Sequence, residues 1–203
     1  MTQLYSLTSR FNYIVYNMMA AMMICGVLNH LTVRYGHLIG LAETPIGLPK
    51  ESIDFSIKEV DQFLYDRYFK EDAVSFTFDL DVDLTPIINW NTHTIFASVV
   101  CEFATETSAH NSVTVWDQRI MRTAPEHHQI KLKNEHVEYY LTDINRQIKG
   151  TDIKLYLRWE HMSTIGAYYG DMIEVGAFTG PSKYSGDSKR KYIPGPTSRE
   201  MNY

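Results

Sequence analysis

The chain has 203 residues, enough for one sizeable domain or one domain with an anchor, but short for two ordinary domains. Its formal net charge of -5 excludes a chain-wide basic face of the kind nucleic-acid binders carry. Aromatic residues make up 13%, with 14 Tyr, which suits sheet better than a helix bundle.

The first element in chain order is an apolar helix. No Asp, Glu, Lys or Arg occurs between Arg10 and Arg34. A helix rises about 1.5 Å per residue, so roughly 20 such residues cross a hydrocarbon core of about 30 Å. Tyr13, Tyr16 and Tyr35 stand where interfacial aromatics belong. The spacing predicts residues 1–12 as a short tail and 13–33 as a transmembrane helix in contact with lipid. A buried helix of a soluble protein would show a polar face. A cleaved leader would show a shorter apolar core and small residues before its cleavage site. An interfacial helix would carry a basic face. None of these fits. Charge does not orient the span, since Arg10 is matched by Arg34. A short leader before a long trailing domain favours a signal-anchor with the domain translocated.

Asn17, Ala21, Cys25 and Asn29 recur every fourth residue and share one helix face. In lipid, small and amide side chains favour close helix packing, so the four form a candidate helix-packing ridge. Chance spacing in a short segment is the competing explanation.

From residue 34 to 179 the pattern turns to alternation, the signature of strands with one buried face. It is clearest at Ser75–Leu84 and Ile153–Glu160, and shorter at Ser52–Lys58. Thr94–Phe103 is apolar on both faces and reads as a central strand. Ser112–Met121, Gln129–Lys133, Glu135–Leu141 and Asp171–Phe178 complete the set, while Lys58–Lys70 reads as a short helix or irregular. The fold class expected is mainly β: an antiparallel β-sandwich domain after one N-terminal transmembrane helix. Residues 180–203 are polar and rich in breakers, and read as a flexible tail.

Cys25 in lipid and Cys101 in a strand are too far apart to bridge. No Asn begins a glycosylation sequon. The chain carries no Gly-x-Ser-x-Gly elbow, phosphate-binding loop or His-Glu-x-x-His signature. His127 and His128, adjacent on an extended strand, would point to opposite faces, so no metal or cofactor site and no catalytic residue is expected. Trp90, Trp116 and Trp159 are candidate structural core; in the Trp90-Asn91 and Trp116-Asp117 pairs the Asn or Asp reads as a turn cap, with direct contact to a partner as the alternative.

Several stretches together resemble a known family. Ser9-Arg10-Phe11-Asn12 with Ala20-Ala21 and Cys25 is similar to its anchor. Phe76–Leu84 leads into Ile87-Ile88-Asn89-Trp90-Asn91, similar to a strand followed by Phe-Asp-Trp-Asn. Thr94-Ile95-Phe96, Asn111–Asp117 (Asn-x-Val-x-x-Trp-Asp) and Ile153–Trp159 (Leu-x-Leu-x-Trp) follow in order. The chain thus resembles subunit 3 of the eukaryotic signal peptidase complex. The resemblance implies a single-pass type II protein of the endoplasmic reticulum membrane with its domain in the lumen. It also implies an accessory, non-catalytic role beside a catalytic serine-protease subunit and the other subunits, in removing signal peptides from nascent secretory proteins. Two departures stand out. Thr151-Asp152-Ile153-Lys154 lacks a sequon where members of the family often have one, and the tail after Gly180 has no counterpart. The alternative is a membrane-anchored luminal binding module, lectin or chaperone-like.

Overall fold

A computed structural model of the chain describes residues 6–35, 47–66, 71–166 and 168–185. Helix α1 runs Leu7–Tyr35, 29 residues, or about 43 Å at helical rise. Ser6 caps it, its Oγ accepting the Ser9 N–H at 3.1 Å. The stretch Leu7–Thr32 is long and apolar enough to cross a membrane, and its most apolar part is nowhere buried.

Among the described residues eight strands follow: β1 (Ile53–Asp66), β2 (Glu71–Asp83), β3 (Thr92–Phe103), β4 (Asn111–Met121), β5 (Gln129–His136), β6 (Leu141–Asp143), β7 (Asp152–Ser163) and β8 (Tyr169–Thr179). They form two antiparallel sheets. One has the order β1-β2-β5, with β6 pairing the far end of β2; the other has the order β4-β3-β7-β8.

One core lies between the sheets. Phe76, Phe78, Leu80 and Val82 of β2 meet Ile95, Ala97, Val99 and Cys101 of β3 and Ile153, Leu155, Leu157 and Trp159 of β7, all fully buried. Each set occupies alternate positions of its strand, so one pleated face of each supplies the core. Trp116 is buried, its ring edge-on to Phe78 at 6.3 Å. Burial in this core pushes the Cys101 thiol up to about 12, which leaves it inert. Cys25 is exposed, and both cysteines are free.

The structure departs from the sequence expectation at four places. Lys58–Asp66 is neither helical nor irregular but continues β1, with register shifts between Ile57 and Glu59 and between Val60 and Gln62. The shifts move the core-packed positions from Ile53, Phe55 and Ile57 to Val60 and then Phe63, so simple alternation disappears. Next, β5 runs unbroken from Gln129 through His136 and ends there, so the two strands expected at Gln129–Lys133 and Glu135–Leu141 are one; at the joint Asn134 takes a φ of 50° and donates its N–H to Asp79 Oδ1 at 2.8 Å across a register shift in β2. That bond, followed by the Lys58 ammonium, holds the Asp79 carboxyl below its usual range. His127 sits in a 3-10 turn, Pro125–His127, with His128 just past it, rather than on a strand.

The fourth departure concerns the tail. Residues 181–185 pack on the domain instead of trailing free: Ser185 N–H donates to Phe63 O at 2.8 Å, and Ser185 Oγ accepts the Phe63 N–H at 2.7 Å. Tyr184 lies 4.7 Å from the Phe63 ring and donates its hydroxyl to Asp72 Oδ1 at 2.8 Å. A polar composition hid one aromatic anchor. Residues 186–203 of that expected tail lie outside the described residues.

Candidate functional site: the junction of helix and sandwich

The helix meets the sandwich at one end, where the β2–β3 and β7–β8 connections lie side by side. The β2–β3 connection is built by its own polar side chains. Asp83 Oδ1 accepts the Thr85 N–H at 2.9 Å, and the Thr85 side chain and this N–H hold the Asp83 carboxyl below its usual range. A 3-10 turn, Thr85–Ile87, follows. Asn89 then closes a tight turn: its Oδ1 accepts the Asn91 N–H at 2.9 Å, and its carbonyl accepts the Thr92 N–H at 3.0 Å. The turn aims Asn91 inward, 3% exposed, and Trp90 outward, 60% exposed.

Asn91 is the hub of the junction. Its Nδ2 donates to Ile165 O at 2.7 Å, its Oδ1 accepts the Ile165 N–H at 3.1 Å, and its carbonyl accepts the Thr164 N–H at 2.8 Å. The side-chain amide thus pairs with both polar groups of one residue in the β7–β8 connection. Asn29 of α1 joins the pair, donating from Nδ2 to Asn91 Oδ1 and to Ile165 O, each at 3.3 Å. Gly166 takes a φ of 104°, which residues with side chains rarely adopt, and lies against the helix, where a Cβ would make ordinary contact with His30 Cβ at 3.5 Å.

This site sorts the ridge of the sequence reading. Asn29 faces the domain. Asn17 donates its amide to Tyr13 O at 2.7 Å within the helix, and Ala21 and Cys25 stay exposed. The structure therefore does not bring the four together on one contact. The tryptophans divide too. Trp116 and Trp159 are in the core, but Trp90 is not, because it sits in the Asn89–Thr92 turn and not on a strand. The inward member of that pair is Asn91, and the sequence reading gave it no role beyond turn capping. A Trp-Asn pair between a proline-containing turn and a strand was the available signal.

Asn91→Ala is expected to cost on the order of 1–3 kcal/mol, since it removes a buried amide that pairs with both polar groups of Ile165, leaves the Ile165 N–H without its acceptor and breaks one of the two bonds from Asn29. Trp90→Phe beside it is expected to change stability by less than about 0.5 kcal/mol. Denaturant melts of the detergent-solubilised chain would separate the two, and hydrogen exchange at residues 164–166 should quicken in the alanine variant alone.

One meeting of hydroxyl, imidazole and carboxylate lies on the outer face of the β1-β2-β5 sheet. Thr77 Oγ1 donates to Asp61 Oδ2 at 2.8 Å, and His136 Nδ1 lies 3.3 Å from that hydroxyl and 3.1 Å from the same carboxylate oxygen. Both contacts use the same ring nitrogen, whereas an activated hydroxyl needs the nitrogen opposite the carboxylate. The arrangement fastens β1 to β2 and β5. Among the described residues no cluster of three His, Cys, Asp or Glu has metal-binding geometry.

A family model described as signal peptidase subunit matches residues 4–182, which spans α1, both sheets and the junction. Signal peptidase complex subunit 3 of Yarrowia lipolytica is 33% identical over 104 residues, 50% of this chain and 55% of that protein. The subunit of the same name from Drosophila melanogaster is 33% identical over 98 residues, 48% of this chain and 54% of that one. The one from Homo sapiens is 29% identical over 111 residues, 54% and 60%. The chain spans a little over half the length of these relatives in the matched region. The family model covers more, including the anchor helix and the two connections that Asn91 joins, and by that match the chain belongs to the signal peptidase subunit family.

Proposed function

We propose that this chain is a non-catalytic accessory subunit of a signal peptidase complex, supporting the removal of signal peptides at the endoplasmic reticulum membrane. The observation that carries the reading is the family match across the helix, the sandwich and the junction between them. The junction adds a physical reason. A domain hydrogen-bonded to its own membrane helix presents its surfaces at a set height and angle above the bilayer, as a scaffold for a protease must. The partners are a catalytic serine-protease subunit and the other subunits. The face of α1 that carries Asn17, Ala21 and Cys25 packs on a neighbouring helix within the complex.

Affinity purification of the tagged chain from mild detergent is expected to recover a serine-protease subunit, and Cys25 is expected to crosslink to a partner helix. Isolation as a stable monomer without that subunit would overturn the reading. Orientation is tested separately. The reading puts the domain in the lumen, so Glu106→Asn, which turns Glu106-Thr107-Ser108 into an acceptor sequon with Glu106 and Thr107 exposed, is expected to yield a glycosylated chain. Residue 106 lies in the β3–β4 connection, one full strand away from the helix, within reach of a luminal transferase. Cleavage of the domain by protease added outside intact microsomes would reverse the topology.

A further inference from the structure

At the end of the sandwich that meets α1, two of the connections carry no charge. No Asp, Glu, Lys or Arg occurs between Asp83 and Glu102, nor between His161 and Asp171. These stretches hold the β2–β3 and β7–β8 connections. At the opposite end the β3–β4 connection carries Glu106, and the β6–β7 connection carries Arg146 and Lys149. Leu84 and Ile87 of the first connection are buried, but three large side chains of the pair turn outward: Trp90, Ile165 and Tyr168 are 60%, 55% and 56% exposed. The backbone on either side of Trp90 and at Thr164 and Ile165 is held by the hydrogen bonds of Asn89 and Asn91, so the display of Trp90 and Ile165 is part of the fold. A fixed apolar group of this kind marks a surface that meets something apolar.

The helix says what that is. A Cβ added at Gly26 would lie 3.9 Å from Ile165 Cγ2, so Ile165 meets α1 at the level of Gly26. Gly26 lies seven residues before Val33, the last position of the uncharged stretch. At helical rise that is about 10 Å inside the end of the stretch. Side chains at that level, beside a helix in a bilayer, stand at the boundary of headgroups and acyl chains, where interfacial elements bury about 5–10 Å of apolar face. The polar members of the junction lie nearer the end of the stretch: Asn29 bonds Asn91, and His30 covers Gly166. Trp and Tyr are the residues that favour this boundary. Arg122 and Glu126, on the β4–β5 connection at the same end, set the limit of entry, since both suit headgroups and not acyl chains.

We propose that the β2–β3 and β7–β8 connections enter the membrane interface beside α1, with Trp90, Ile165 and Tyr168 immersed at the headgroup–acyl boundary. The ligand of this surface is the lipid bilayer itself. The domain is then seated on lipid as well as tethered through it, which fixes its tilt. The inference rests on reading α1 as a bilayer span.

The chain carries its own reporter, because Trp116 and Trp159 are buried and only Trp90 is open to a quencher. The full chain would be reconstituted in phosphatidylcholine vesicles containing lipids with spin-label quenchers at shallow or deep acyl positions. A second sample would carry a fluorophore on Cys25, introduced in detergent, where buried Cys101 does not react. The expected result is loss of roughly half the Trp90-dependent emission with the shallow quencher and less with the deep one. Trp90→Phe should abolish the response, and the Cys25 probe should respond most to the deep quencher. Quenching of the Cys25 probe without quenching of tryptophan would overturn the proposal and leave the span standing. An unquenched Cys25 probe would overturn both. Quenching that persists in Trp90→Phe also sinks it, as does a Trp90 that only the catalytic subunit shields from aqueous acrylamide. That last result would give the surface to a protein partner.

Discussion

Trp159→Ala is expected to remove about 3–5 kcal/mol from the stability of the domain, the range for deleting a fully buried large aromatic. Trp159 is 0% exposed on β7, packed in the core between the sheets. Total stabilities of ordinary domains are about 5–15 kcal/mol, so the variant should melt at markedly lower denaturant or fail to accumulate. Trp159→Phe separates bulk from polarity. The indole Nε1 is buried without a hydrogen-bond partner among the described residues. Phenylalanine loses part of the ring but also removes a stranded N–H, so a cost below about 1.5 kcal/mol is expected. Denaturant titration in detergent, followed by far-ultraviolet circular dichroism, would measure both. Equal losses in the two variants would show that the indole is not simply core volume.

Acid is expected to weaken the same strand through His161. Its ring is 1% exposed, stacks on Tyr169 at 4.4 Å, and has neither nitrogen hydrogen-bonded among the described residues. Burial disfavours the charged form and pulls the imidazole down to about 4 from 6.5. The unfolded chain therefore binds the extra proton between those values and the folded chain does not. Stability is fully present above about pH 6.5 and falls as the pH drops, by about 3 kcal/mol in total on reaching pH 4. His161→Phe is expected to remove this component of the pH dependence while holding or raising stability at pH 7, because it replaces two unpartnered buried nitrogens with an apolar ring. Melts at pH 7 and pH 5 on both proteins test it. Parallel curves for the two would mean that another group carries the acid sensitivity.

The fold was legible where one physical rule acts alone. α1 shows no charge between Arg10 and Arg34, and β2, β3 and β7 keep their inward set at every second residue for most of their length. Legibility ended where geometry broke the period. The bulges of β1 moved its core-packed positions off simple alternation, and a turn at Asn89–Thr92 turned Trp90 out and Asn91 in. Tyr184 was hidden by its polar neighbours, although one ring on Phe63 and one hydroxyl on Asp72 suffice to hold the segment. The junction was the least readable part. Its partners are spread over three distant segments, and nothing in the spacing of Asn29 distinguishes a residue that docks on its own domain from one that faces a neighbouring helix.

That separation has a consequence for synthesis. Asn29 meets Ile165 across 136 residues of sequence. The ribosome delivers the chain from its N-terminus, so α1 is complete and in contact with lipid long before the β7–β8 connection exists. The bond between helix and sandwich is therefore among the last to close, after both sheets have their central strands. Until then only the chain itself joins helix and domain, and closure of the Asn29–Asn91–Ile165 contact marks the moment at which the domain acquires one orientation to its helix.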